Sequence, residues 1–464
     1  MVAPTSPSPS SRPAALTPPP VSVGPDRAPR RVAVAGVGLV TPLGVGAWAT
    51  YAALLAGRRI TDRIVNLEPD TAAVPLVQAV GGVSVARHTA VDPAVELAER
   101  AAREAAGEAG VGLAGLATWL GTSKGAVGRF GEAAARRQLP GGPPMTFDHA
   151  LAGALGPHGY LAHHLQLRTG LRPRGHCVAA CASSLTALHQ ARMALRGEGW
   201  ERWGWDRVAA LNPGKASDGG GRDYALVLTA EAALLPVFIH SYQRLGVLAP
   251  LTLEGYRGRP LSAARRGFVL AEVGAAVLLR RLGPGESPTA GQIELVDSAI
   301  ATEAEDLVRP SAEMAGLKAV VGRLTGGRRW AAVHPHAPGT AEHDPRELSL
   351  LAEAVAESGS GGGGGGGAVN DQKVEPPAVY AHKGALGHTL GSAGLVSLVL
   401  ACLAARCGKL PPMGWLEDEG AAIRDAGLPI GPRPTLPADR PGGGHLVLAA
   451  GFAGHVAGAV IARA

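Results

Sequence analysis

Two hydrophobic rhythms alternate along this chain. Short apolar runs bounded by glycine, proline or charge read as buried strands: Val32–Val37, Leu116–Leu120, the run ending at Cys181, Asp223–Glu231, the run to Leu282, Ile293–Ile300, Trp330–Val333, Val379–Ala381, Gly444–Ala450 and Val456–Ile461. Apolar positions at spacings of three and four mark helices instead, near Ala47–Leu55, Val91–Ala109, Pro236–Leu245, Ser311–Leu324, Arg346–Ser358 and Gly394–Arg406, with a helix and loop over Gly156–Leu171. Leu185, Leu188, Ala191 and Leu195 line one face of a further helix, which begins where the apolar run stops at Cys181. No internal repeat is legible.

Between these elements lie the breaks. Residues 1–30 are rich in Pro, Ser and Ala with no apolar core, and are expected to form a disordered tail rather than a signal peptide. Leu282–Pro288 is punctuated by glycine and proline and predicts a boundary between halves at 31–283 and 289–464. Residues 358–375 contain a glycine run expected to be a flexible loop, and Gly204–Arg222 a polar surface excursion. The apolar run Ala393–Ala405 is short for a bilayer, so a buried helix and a cytoplasmic protein without membrane contact are expected.

Composition adds exclusions. With 464 residues the chain can bury a large core, and with aromatics at 4% that core must be built from Ala, Val and Leu. The net charge of +6 is spread along the chain without a basic block, which argues against nucleic acid as a partner. The four cysteines form no disulfide framework, and the spacings Cys177/Cys181 and Cys402/Cys407 are not those of zinc sites, so no metal is expected.

Several stretches carry possible chemistry. A cysteine at a strand end that turns straight into a helix meets unpaired N–H groups and the helix dipole, which favour a thiolate; Cys181 is therefore a candidate nucleophile. Gly121-Thr122-Ser123-Lys124-Gly125 matches a nucleophile elbow and offers Ser123 as a hydrolase alternative, but the pentad is short and common, and a plain glycine-flanked loop at a strand end is the preferred reading. Gly36 and Gly38 superficially suggest a dinucleotide fingerprint, but no third glycine opens the next helix. Two loops at strand ends supply imidazoles: His334-Pro335-His336, with Asp344 and Glu347 following, and Lys383 to His388. Lys383, in a chain that writes arginine for nearly every cation, is expected to pair with Glu347 in one buried network.

Taken together and in order, these stretches resemble the decarboxylating β-ketoacyl synthases. Val32–Gly44 resembles the family's opening strand and turn, Ala180-Cys181-Ala182-Ser183-Ser184-Leu185 its nucleophile motif, and Arg266 to Glu272 its D-G-F-V-x-G-E stretch. His336 to Thr340 with Asp344 stands for H-G-T-G-T and its aspartate, Lys383 to Gly394 for K-S-x-x-G-H-x-x-G-A-A-G, and Gly451 to Gly454 for G-F-G-G. The chain departs from the pattern at Ala337-Pro338 (Gly-Thr in the family), Arg266 (Asp), Ala271 and Val273 (Gly), and Val456 (often Asn).

The resemblance implies an α/β thiolase-like fold, two similar halves in five α-β-α-β-α layers, and a homodimer. It implies a decarboxylating Claisen condensation without cofactor or metal, in fatty acid or polyketide synthesis. Cys181 would carry the acyl group, His336 and His388 would serve the malonyl enolate, and the N–H groups of Cys181 and Phe452 would form the oxyanion hole. Lys383 and Glu347 would hold the histidines, Asp344 the loop, and Thr340 would contact substrate. The implied partner is an acyl carrier protein with phosphopantetheine-bound acyl and malonyl groups. Two alternatives share the motifs: a non-catalytic partner of the chain-length-factor kind, and cysteine-dependent acyl transfer without condensation.

Overall fold

The computed structural model describes residues 30–60, 83, 91–138, 144–197, 223–250, 258–360 except 304, 307, 308 and 327, 375–417, and 422–464 except 424–426, 439, 441 and 442. The expected tail, the polar excursion and most of the glycine loop lie outside the described residues.

The strands are β1 (Val32–Thr41), β2 (Gly44–Val45), β3 (Ala117–Gly121), β4 (Arg172–Cys177), β5 (Tyr224–Glu231), β6 (Val273–Arg281), β7 (Ile293–Thr302), β8 (Trp330–His334), β9 (Ala378–Val379), β10 (Gly444–Ala450) and β11 (His455–Arg463). The helices used below are α1 (Ala47–Leu55), α2 (Pro93–Glu108), α3 (Val127–Gln138), α4 (Phe147–Thr169), α5 (Ser183–Arg196), α6 (Pro236–Arg244), α7 (Ala315–Thr325), α8 (His343–Ser360) and α9 (Ala393–Cys407). Most periodicity-based elements are present within a few residues. The helix α3 was not expected, and α4 is longer than expected because it continues through a kink at Gly156 and Pro157.

Strand order reveals a repeat that the sequence conceals. The path β4-β3-β5-β6-β1-β7-β11-β10-β8-β9 reads identically inward from both ends when the strands of each half are taken in chain order. With the short β2, which pairs only with β1, left out of the count, in each half the second strand pairs in parallel with the third and fourth, and the fourth, fifth and first are joined antiparallel. The two halves of the sheet are joined where Ala33 and Val34 of β1 face Glu294 and Ile293 of β7. Helix α2 covers β1, β5 and β6 on one outside face, and α7 covers β7 and β11 on the other. Between the two sheet halves α5 and α9 pack on each other and on strands of both, completing five layers.

The central layer explains the most apolar helix. Residues Ala393–Ala405 of α9 are all buried, as a helix sandwiched between two sheets must be. Counted with the preceding turn, Leu390–Cys407 is 18 residues long and apolar enough to cross a membrane by composition, but 83% of it lies inside this fold.

The glycines of β1 serve packing. A Cβ on Gly36 would stand 2.1 Å from the Ala105 carbonyl oxygen, and one on Gly38 2.0 Å from that of Ala101. Both therefore let the alanine row of α2 lie directly on the strand, which is the physical reason for the apparent dinucleotide pattern.

Candidate active site

The run that leads to Cys181 does not stop on it. Strand β4 ends at Cys177, the chain turns, and α5 begins at Ser183 after Ala182 as N-cap. Cys181 occupies that turn behind Ala180, whose φ of 46° is unusual for a residue with a side chain. Ser183 Oγ accepts from Ala179 N–H at 2.8 Å and donates to the Ala180 carbonyl at 2.6 Å, which fixes the turn.

The two histidine loops reach the same place from the second half. A ring nitrogen of His336, one of His388 and the Cys181 Sγ all lie within 4.8 Å of one another. The imidazoles meet edge to face, with centroids 5.5 Å apart. His388 Nδ1 accepts from Leu390 N–H at 2.9 Å, so the neutral ring carries its proton on Nε2 and is a hydrogen-bond donor there. His336 Nδ1 is buried with no partner among the described residues.

One stretch splints these loops together. His388 N–H donates to the Val269 carbonyl and Ala271 N–H to the His388 carbonyl, while Gly267 N–H donates to the Gly339 carbonyl in the His336 loop. Arg265 adds bonds to the carbonyls of Thr340 and Ala341, and the Phe268 ring packs on His388 with centroids 4.6 Å apart. The Arg266–Glu272 motif thus has a mechanical task, and its altered first residue, Arg266, is exposed.

Two buried carboxylates shape the His336 loop from α8. Glu347 accepts from the N–H groups of His336 and Ala337 at 2.7 and 2.8 Å, and Asp344 from those of Gly339 and Leu261 at 2.9 and 2.8 Å. The expected direct pairing of Lys383 with Glu347 is not formed. Instead the Lys383 ammonium donates to the His336 main-chain carbonyl, because Glu347 is already committed to the loop N–H groups. The two charges still share one network, since Glu347 acts on Lys383 through space.

Burial dominates the ionisation. It pushes the Cys181 thiol up to about 12, with Lys383 pulling down and Glu231 pushing up. The thiolate expected at a helix N-terminus is thus not the resting form: Cys181 sits ahead of the helix and its charged form would be desolvated. Burial and the nearby Lys383 cation hold His336 and His388 well below the usual imidazole range, so both are neutral. Lys383 itself is lowered by burial to about 8, while Glu347, Cys181 and Asp344 work to raise it.

Phe452 follows Gly451 at the end of β10, facing the Cys181 turn. A Cβ on Gly451 would stand 2.7 Å from Cys181 N, so only glycine lets the two chain segments touch. Neither the Cys181 nor the Phe452 N–H donates to an acceptor among the described residues. Ala337, Leu390 and Ala453 also carry positive φ, so strained backbone lies within two residues of Cys181, His336, His388 and Phe452. Cys181, His336, His388, Phe452 and Thr340 line one cavity of about 290 Å³.

Ser123 is not among the residues that line this cavity. Its Oγ donates to Glu231 at 2.8 Å, and no imidazole accepts from it among the described residues, so it lacks the base an elbow serine needs. Sequence reading missed Glu231, Arg265 and above all His343, which lines the same cavity. The only local signal for His343 was its placement one helical turn before Glu347.

Fold and site together define a thiolase-like architecture with a cysteine and two histidines in one cavity, and comparison with known proteins gives its family. Residues 29–200 match the family model "Beta-ketoacyl synthase, N-terminal domain", and residues 294–416 match "Beta-ketoacyl synthase, C-terminal domain". The chain belongs to the β-ketoacyl synthase family. It is 24% identical over 308 residues to 3-oxoacyl-[acyl-carrier-protein] synthase 2 of Mycobacterium leprae, covering 65% of this chain and 63% of that one. It is 26% identical over 294 residues to 6-methylsalicylic acid synthase of Aspergillus niger, covering 61% of this chain and 14% of that one. The chain therefore spans less than two thirds of the length of these relatives. Among solved structures it resembles a type II polyketide ketosynthase in complex with its acyl-carrier protein (TM-score 0.71, 19% identity, 94% of this chain and 100% of that one). It also resembles the ishigamide ketosynthase/chain length factor (TM-score 0.66, 19% identity, 94% and 100%).

Proposed function

We propose that the chain catalyses condensation of an acyl group on Cys181 with malonyl-acyl carrier protein, releasing carbon dioxide and forming a 3-oxoacyl thioester in fatty acid or polyketide synthesis. The observation that carries this reading is the convergence of the Cys181 Sγ with ring nitrogens of His336 and His388 inside one cavity. Each step follows from the chemistry of these groups.

In the first step the Cys181 sulfur attacks the acyl thioester. A thiol at about 12 must lose its proton during attack. His336, whose tautomer no hydrogen bond fixes among the described residues, takes that proton and returns it to the departing carrier thiolate. The Cys181 and Phe452 N–H groups would hold the tetrahedral oxyanion, worth about 3 kcal/mol per well-placed donor. In the second step the malonyl carboxylate leaves as carbon dioxide, and its bonding electrons form an enolate. His388 donates from Nε2, and neutral His336 joins it, to the enolate oxygen. The carbanion then attacks the acyl carbonyl, and the Cys181 thiolate leaves and is reprotonated from solvent.

An acyl carrier protein as delivering partner is supported by the family and by the carrier complex of a fold relative. A second copy of the chain as partner is supported by β4, an outer edge strand, beside which α4 exposes Leu155 and Leu167. A non-catalytic chain-length-factor role would leave Cys181 without purpose.

The test is intact-mass detection of acylation by an acyl thioester, with Cys181→Ala as control, together with carbon dioxide release from malonyl carrier protein. Acylation is expected on Cys181 alone, and release is expected to fall in His388→Ala. A Cys181→Ala protein that still acylates, or undiminished release from His388→Ala, would overturn the assignment. Acylation without release would leave plain acyl transfer.

A further inference from the structure

His343 is a third imidazole of this cavity, which the mechanism above does not use. It opens α8, is 8% exposed, and lines the same cavity as Cys181, His336 and His388. Its ring stands edge to face against that of His336, with centroids 5.1 Å apart at 77°. Its Nε2 lies 3.4 Å from Glu347 Oε2, one turn further along the helix.

Glu347 makes this contact consequential. Its side chain is fully buried, and His343 is the only residue able to carry a positive charge within ion-pair distance of it among the described residues. The same carboxylate accepts from the N–H groups of His336 and Ala337. It therefore fixes the main chain at Ala337, where φ is 34° and the backbone needs external support. A carboxylate buried without a compensating partner would be strongly penalised. Burial does work to raise Glu347, and His343 with the two loop N–H groups holds it below the usual carboxylate range nonetheless. Lys383 cannot substitute, because its ammonium is directed to the His336 carbonyl.

We propose that His343 is a positioning residue for His336: it anchors Glu347, which fixes the His336–Ala337 main chain, and its ring backs the His336 imidazole. The two ends of the His336 peptide segment are then held separately, the N–H side by Glu347 with His343 and the carbonyl side by Lys383. This inference rests on the condensation reading, in which His336 acts on the thiol proton and the enolate.

The test compares full-length His343→Ala, His343→Gln, Glu347→Gln and the His343→Ala/Glu347→Gln double variant. The readouts are carbon dioxide release from malonyl carrier protein, Cys181 acylation by intact mass, and thermal melting. His343→Ala should lower kcat for release about tenfold, the scale of a group displaced by a fraction of an ångström, with KM nearly unchanged and acylation stoichiometry retained. His343→Gln, whose amide N–H can reach the same carboxylate, should recover part of that loss. The double variant should fall no further than Glu347→Gln alone, as residues acting in series do. Unchanged kcat in His343→Ala would overturn the proposal, as would multiplicative losses, or kcat losses that simply follow the melting temperatures. If the unsubstituted protein neither acylates nor releases carbon dioxide, the condensation reading fails instead. The His343–Glu347 coupling is then read from the melting temperatures of the same four variants, where additive losses overturn it.

Discussion

The Lys383 ammonium donates to the main-chain carbonyl of His336, so a cation is buried against the very loop that carries one of the two site histidines. Its field is also the second cause, after burial, that keeps His336 and His388 neutral. Replacing it by an apolar side chain of similar length removes both the tether and the field. Lys383→Met should therefore lower carbon dioxide release by about 10- to 100-fold, the scale of a lost or misplaced positioning group, while Cys181 acylation by an acyl thioester persists. Stopped assays of the two half-reactions check this.

The same lysine predicts a basic limit to activity. Burial lowers its folded-state value to about 8, so the cation is present below that pH and is lost as pH rises through it. The kcat for release should fall above pH 8 in the natural chain, and this limb should be absent from the residual activity of Lys383→Met. A pH profile of both proteins at saturating malonyl carrier protein decides the matter.

Gly451 meets the nucleophile turn with no room to spare. A Cβ there would lie 2.7 Å from Cys181 N, 2.8 Å from Ala180 Cβ and 3.0 Å from the Ala179 carbonyl oxygen. Gly451→Ala must push apart the two segments whose N–H groups are assigned to the oxyanion hole. Loss of one such donor costs about 100-fold or more, so the acylation rate should fall at least that far. The melting temperature should drop by only a few degrees, because the turn lies at the cavity and outside the central layer.

Acid should unfold this protein early. His445 and His176 are lowered by burial to about 4, and His334 and His382 also lie well below the imidazole range. A histidine neutral in the folded state but ordinary when unfolded binds protons mainly after unfolding. Stability from these groups is thus complete above about pH 6.5 and is lost as pH falls from there toward 4. Each contributes a slope of about 1.4 kcal/mol per pH unit within its window. Urea midpoints measured between pH 7 and 4.5 should fall steeply, and His445→Gln should flatten the slope.

The glycines of β1 provide a stability prediction free of catalysis. Gly38→Ala would place a Cβ 2.0 Å from the Ala101 carbonyl oxygen, which only a shift of α2 can relieve. Overpacking of this kind costs about 1–3 kcal/mol. Chemical denaturation should show that loss.

Much of the site was visible in linear order. Cys181, His336, Lys383 and His388 were each marked by local chemistry at the end of an apolar run, whereas Phe452 was named only through the family resemblance. His343 stayed hidden because a histidine at the start of an amphipathic helix has no local distinction. Its importance depends on which ring and which carboxylate lie across from it. The Lys383–Glu347 pairing was expected for the right reason, mutual burial, but the loop N–H groups had a prior hold on Glu347. Likewise Cys181 was placed at a helix N-terminus correctly to within two residues, yet the thiol's ionisation follows its burial.

The sequence by itself determined most of the strands and helices, though not α3 or the full length of α4, together with the wholly apolar character of α9 and the family-like order of motifs, because periodicity and turn chemistry are local. Tertiary structure alone decided that two halves with no legible repeat share one strand order. It also brought a cysteine from one half against histidines from the other, since that juxtaposition comes from packing α5 and α9 between the sheets. Side-chain partners separated by long stretches of chain are set by such packing, and no local pattern encodes them.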